Sequence, residues 1–242
     1  MPFHGLFKLP TLVADVACLG MLWATLRPPL GQSPVGPKET TVWIAMAVFA
    51  CNPISILVTA FHGNTDSLCA MFGLAATALH SRDRFALAGL ALAGAVNVKV
   101  VGLMWSPALF FLCPSPKKAL RFVAGFCAGL LPFLGPLLCV SEAFYRNTIA
   151  YNSVVNLWGV NVLSIKLWDA VPALARRTFA YLEWGRYVII DSIILGALWA
   201  RRARLNPFES ASASMALFLT LTPGFGVQYL VWVVPILAVA SI

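Results

Sequence analysis

The stretch Ala119–Val140, ALRFVAGFCAGLLPFLGPLLCV, holds a single charge, Arg121, and follows directly on Lys117 and Lys118. A helix needs ~20 apolar residues to cross the hydrocarbon core of a bilayer, within a range of ~17–25, and this stretch supplies them. The rest of the chain has the same texture. Hydrophobic residues make up 60% of the 242 residues and charged residues 11%, and the mean hydropathy is +0.83. A soluble domain is roughly half apolar and a quarter charged. A soluble globule of this size could not hide so much apolar surface, because much of its exterior must face water. The sequence therefore reads as an all-α, polytopic transmembrane helix bundle. A soluble enzyme, a nucleic-acid module and a secreted disulfide scaffold are excluded.

Working outward from that stretch, about nine spans are expected: Pro10–Leu26, Thr41–Ala60, Asp66–His80, Phe85–Asn97, Val100–Cys113, Ala119–Val140, Tyr187–Ala200, Ala211–Thr222 and Val227–Ile242. Several are short, which suits tilted or partly re-entrant packing. The net charge of +8 fits one orientation of these spans and implies no nucleic-acid partner. Ten of the seventeen cations fall in four short loops: Arg27, Lys38, Arg82, Arg84, Lys117, Lys118, Arg121, Arg201, Arg202 and Arg204. The positive-inside rule makes that side cytoplasmic. Trp23, Trp43 and Trp199 lie near the same helix ends, where interfacial anchors belong.

We treat residues 1–242 as one transmembrane domain with a long outer loop at about 141–186. The loop interleaves Tyr145, Tyr151, Asn152, Asn156, Trp158, Asn161, Trp168 and Trp184 with cations and apolar residues, the profile of interfacial helices. This orientation puts Met1 outside, and the run Ala238–Ile242 stops without a polar tail. We therefore expect an amino-terminal span and a first outer loop to precede this chain. The six cysteines form no Cys-x-x-Cys pair and read as small apolar packing residues. No metal site and no cofactor are expected.

The polar groups are one-sided. The outer side collects His62-Gly63-Asn64-Thr65-Asp66-Ser67, then Asn97-Val98-Lys99, then Pro223-Gly224-Phe225-Gly226-Val227-Gln228-Tyr229. Gly63 permits a turn, Asn64 or Thr65 can cap the next helix, and Asp66 suits its positive end. A capped turn accounts for these residues, as does a cluster that points into a cavity. Lys99 has no acidic residue nearby in sequence. It reads either as a snorkelling lysine or as a ligand for a lipid phosphate. Gln228 and Tyr229 add an amide and a phenol beside a Gly-x-Gly turn. Asp15, inside the first span, reads as a structural partner of Lys8 or of a neighbouring helix.

Taken in order, these motifs resemble the C-type integral-membrane glycosyltransferases, which include polyprenol- and dolichol-phosphate-sugar-dependent mannosyltransferases. The resemblance rests on Phe7-Lys8-Leu9-Pro10 to Ala14-Asp15, on Asn52-Pro53 followed by His62–Ser67, and on the span from Lys99 to Pro107. It extends to Thr222–Tyr229 with Trp232 and Pro235. It implies a polyprenyl-phosphate-linked sugar donor that enters from the outer leaflet among membrane lipids. It also implies transfer, usually with inversion, to an acceptor hydroxyl, and a phosphate leaving group held by cationic and polar groups. His62, Asn64, Asp66, Lys99, Gln228 and Tyr229 are the residues expected to line the donor phosphate and sugar pocket, with Lys99 and His62 on the phosphate. In the family the general base sits in the first outer loop. No Asp-x-Asp or adjacent acidic pair occurs here, so no catalytic residue is assigned and Asp66 is not taken as the base. A bacterial plasma membrane is expected rather than the endoplasmic reticulum. The alternatives are a transporter or flippase, whose polar groups should lie near mid-membrane, and a non-catalytic membrane subunit.

Overall fold

A computed structural model describes residues 3–27, 39–57, 64–146, 171–223 and 227–240. Every regular element among them is helical. Besides two single turns, Pro53–Ser55 and Ser141–Phe144, the α-helices are α1 (Phe3–Leu26), α2 (Glu39–Ala50), α3 (Asp66–Ser81), α4 (Phe85–Val98), α5 (Ser106–Phe111), α6 (Pro116–Gly129), α7 (Leu134–Cys139), α8 (Pro172–Arg202), α9 (Pro207–Leu221) and α10 (Val234–Ala240). Three 3₁₀ helices, Val100–Trp105, Leu131–Phe133 and Val227–Trp232, run into α5, α7 and α10. Among the described residues, two helical stretches are long and apolar enough to cross a membrane, Lys8–Leu26 and Pro116–Cys139.

Helix breaks follow from proline and capping chemistry. The expected span Thr41–Ala60 divides after α2. Asn52 there accepts from the backbone N–H groups of Ile54, at 2.9 Å, and Ser55, at 3.3 Å, and Pro53 opens a new helical turn. The span Ala119–Val140 divides at Pro132. Phe133 N–H bonds the carbonyl of Leu130, one residue tighter than α-helical, so the carbonyl of Gly129 loses its partner. Asn97 supplies the replacement: its Nδ2 donates to Gly129 O at 2.7 Å and to Ala93 O at 2.9 Å. Asn97 thus joins the ends of α4 and α6, a structural role in place of the open polar surface expected from sequence. At the other limit α8 begins at Pro172, well before the expected Tyr187. The closing part of the predicted outer loop is therefore the first half of this helix. Residues 147–170 of that loop lie outside the described residues.

The bundle closes around α3 and α4. Helix α4 packs on α3 and α6, α1 packs on α3, and α8 packs on α5 and α9. The α4–α6 contact is backbone on backbone. A Cβ at Gly89 would strike the carbonyl of Phe122, and one at Gly125 would strike the carbonyl of Ala86. Gly125 and Gly129 form a Gly-x-x-x-Gly face of the kind that draws helices together in lipid. Trp105 fills the core against Gly73. The outward faces remain apolar: Val16 is 69% exposed and Leu138 80%, which suits lipid and not water. Cys18, Cys69 and Cys113 are core residues, whereas Cys51, Cys127 and Cys139 face outward, contrary to the expectation that all six serve as packing.

The cations collect at one end. Arg82 Nη2 donates to Ala24 O at 2.7 Å, tying the α3–α4 turn to the end of α1. Lys118 Nζ meets Asp83 Oδ1 at 2.8 Å, tying the same turn to the start of α6. Asp83 and Arg204 carry φ of 59° and 58°, the left-handed geometry of tight helix-to-helix turns. Asn206 and Glu209 then form a capping box on α9.

Candidate functional site

At the opposite end of α3 stands Asp66, its first residue. The sixteen residues of α3 put it about 24 Å from the Arg82 turn at ~1.5 Å per residue. Thr65 occupies the capping position, but its side chain makes no cap hydrogen bond. Asp66 is fully buried. A carboxylate is tolerated in such a place only when it is paired and hydrogen-bonded, and two donors meet it. Lys99 Nζ lies 2.5 Å from Oδ1. Trp232 Nε1 donates to the same oxygen at 2.9 Å.

Lys99 comes from the break between α4 and the first 3₁₀ helix. Its backbone is extended, at φ −150° and ψ 130°. Its N–H makes the last bond of α4, to Ala95 O, and its carbonyl accepts from Gly102 N–H. A Cβ at Gly102 would come within 3.0 Å of Ala95, so a glycine lets the chain fold back closely here. The Lys99 side chain is 27% exposed. The pair therefore joins a dry carboxylate to a lysine whose side chain is only partly enclosed.

The aromatic side of the site depends on the 3₁₀ helix Val227–Trp232. At three residues per turn, side chains i and i+3 eclipse. Tyr229 and Trp232 stand three apart and stack, with ring centroids 4.4 Å apart and planes inclined by 13°. Lys99 Nζ lies 5.4 Å from the Tyr229 ring and 5.7 Å from the Trp232 ring, inside cation–π range. On the neighbouring helix pair, Tyr181 donates to Leu221 O at 2.5 Å and so secures the end of α9 just ahead of the Pro223 turn. Burial raises the Tyr181 phenol above its ordinary pKa, which keeps it a donor.

The structure brings together Asp66, Lys99 and Tyr229 of the residues singled out in the sequence. It corrects one reading: Lys99 is not an unpaired cation, since Asp66, 33 positions earlier, neutralises it. Asn64 is partly buried two residues before Asp66. Gln228 lies in the same 3₁₀ helix as Tyr229, but its side chain, His62 and the Gly224–Gly226 turn fall outside the described residues. Trp232 was visible in the sequence as part of the resemblance and not as a site residue. The only available signal was its i, i+3 spacing from Tyr229. A cavity of about 350 Å³ lies elsewhere, lined by Phe110, Phe111, Phe122 and Phe126 among others. Phe122 is one turn from Lys118, so this apolar cavity belongs to the cation-bearing end and not to the Asp66 site.

A helical bundle with apolar outer faces, a cationic rim at one end and a buried ion pair near the other defines an integral membrane protein. Its polar site is held between helix ends. The chain belongs to glycosyltransferase family 87, a family of C-type integral-membrane glycosyltransferases, and the match covers residues 1–240. No curated protein and no solved structure matches it significantly.

Proposed function

We propose that this glycosyltransferase moves a sugar, mannose in the simplest reading of the resemblance, from a polyprenyl-phosphate donor to an acceptor hydroxyl at the outer membrane face. The observation that carries this reading is Lys99, its ammonium anchored by buried Asp66 beside Tyr229 and its side chain 27% exposed. Transfer needs charge stabilisation on the departing phosphate. The acceptor oxygen forms a bond to the anomeric carbon while the bond from that carbon to the phosphate oxygen breaks, and the hydroxyl proton passes to a general base, which the resemblance implies is an acidic residue of the first outer loop. The electron pair leaves on the phosphate, where an ammonium in a water-poor setting is a strong partner. Tyr229, with Gln228, Asn64 and His62 from the adjoining segments, shapes the sugar and acceptor pocket. The shorter and broken helices complete a multi-pass bundle of about nine spans, with Arg82 and Lys118 on the cytoplasmic side of a bacterial plasma membrane.

The experiment is donor use by Lys99 variants in proteoliposomes supplied with polyprenyl-phosphate mannose. Charge-assisted contacts contribute ~1.5–3 kcal/mol, so Lys99→Ala should weaken donor use roughly ten- to a hundredfold. Lys99→Arg should retain part of it, and both variants should insert in the membrane. Unchanged donor affinity in Lys99→Ala would leave Lys99 as the structural partner of Asp66.

A further inference from the structure

A lone carboxylate beside an ammonium is free to turn and engage it with either oxygen or both. At Asp66 that freedom is gone. Lys99 Nζ and Trp232 Nε1 converge on Oδ1, and among the described residues no hydrogen bond reaches Oδ2, which is buried. The indole is itself fixed: it is 2% exposed, stacked on Tyr229 and packed 6.4 Å from the Phe218 ring. An indole N–H is a donor only and needs an acceptor when buried. Here the acceptor is the oxygen that grips Lys99.

We infer that Trp232 is a positioning residue of the donor site. Its N–H holds the Asp66 carboxylate in the orientation that ties Lys99 through one oxygen, so the ammonium keeps its remaining donors, on the side away from Asp66, for an anionic phosphate ester. Trp232 does not touch the donor; it acts through Asp66 on Lys99. The stack with Tyr229, set by the 3₁₀ geometry, fixes the indole plane and hence the direction of the N–H. This inference rests on the reading of Lys99 as the phosphate contact.

The test uses the chain in lipid nanodiscs, with two changes at position 232. One is Trp232→Phe. The other is 3-benzothienylalanine, in which sulfur replaces the N–H and the ring outline is kept, so packing is preserved if phenylalanine proves too small. Binding of a polyprenyl monophosphate is measured against neutral polyprenol. Both changes should weaken phosphate binding by roughly three- to tenfold, the net effect of one typical hydrogen bond felt through Asp66, and leave polyprenol binding unchanged. In a Lys99→Gln background neither should cause further loss. In ¹⁵N-labelled protein, the indole N–H resonance that vanishes in Trp232→Phe should shift in Asp66→Asn. Wild-type phosphate binding with the sulfur isostere, alongside weakened binding in Lys99→Gln, overturns the inference alone. A full loss that persists in the Lys99→Gln background also overturns it, since Trp232 would then act directly. Unchanged binding in Lys99→Gln removes the phosphate reading and this inference with it.

Discussion

Asp66 and Lys99 are unequal partners, with side chains 0% and 27% exposed. Removing one member of a buried pair strands the other, at a cost of ~3–5 kcal/mol when both are fully enclosed. Here the cost depends on which member is removed. Lys99→Met leaves a carboxylate with no route to water. Asp66→Asn leaves a lysine whose long stem can carry its charge outward. Thermal unfolding in detergent should therefore show Lys99→Met losing more stability than Asp66→Asn, with the double variant regaining part of the loss. Equal losses would contradict the exposure asymmetry. The sequence already placed Asp66, Lys99 and Tyr229 on one side, because polar residues at helix ends stand out in so apolar a chain. It could not reveal their pairing, because 33 positions separate the ion pair and 166 separate Trp232 from Asp66. Only helix packing brings them together.

Among the elements, the α4–α6 contact is the most demanding, because backbone meets backbone at Gly89 and Gly125. Gly89→Val should force these helices apart and cost ~1–3 kcal/mol or more. Asn97→Leu should cost ~1–3 kcal/mol by leaving the Gly129 carbonyl without its donor. Each loss would appear as a lower unfolding temperature, and wild-type stability in Gly89→Val would rule out the close contact. The helices themselves were legible as apolar runs: α1, α3, α4 and α9 fall close to the expected spans. Helix α8 exceeded its span because Arg176, Arg177, Glu183 and Arg186 dilute the hydropathy of its first half without opposing helix formation. The splitting of Val100–Cys113 into 3₁₀ and α segments had no sequence signal beyond Gly102 and Pro107.

For the whole molecule, the ties from Arg82 to α1 and from Lys118 to Asp83 place the clustered cations together and Asp66 at the far end of α3. Single cysteines introduced at Lys117 and Arg202 should label from the cytoplasmic side, and one at Asn64 from outside. Labelling of Asn64 and Arg82 positions from the same side would overturn this arrangement.

The tether between Asp66 and Lys99 also bears on membrane voltage. A transmembrane potential does work on net charge, ~2.3 kcal/mol per elementary charge per 100 mV for a full crossing. A solitary lysine moving toward a donor would carry its charge through part of that drop. Lys99, held 2.5 Å from a buried carboxylate, is tethered there and carries its charge through a negligible part of that drop. Sugar transfer in proteoliposomes should thus proceed at the same rate whether a potassium diffusion potential is imposed, reversed or collapsed. A carrier that moves charge across the bilayer would instead respond to each change, so an electrically silent turnover separates a surface catalyst from a conduit.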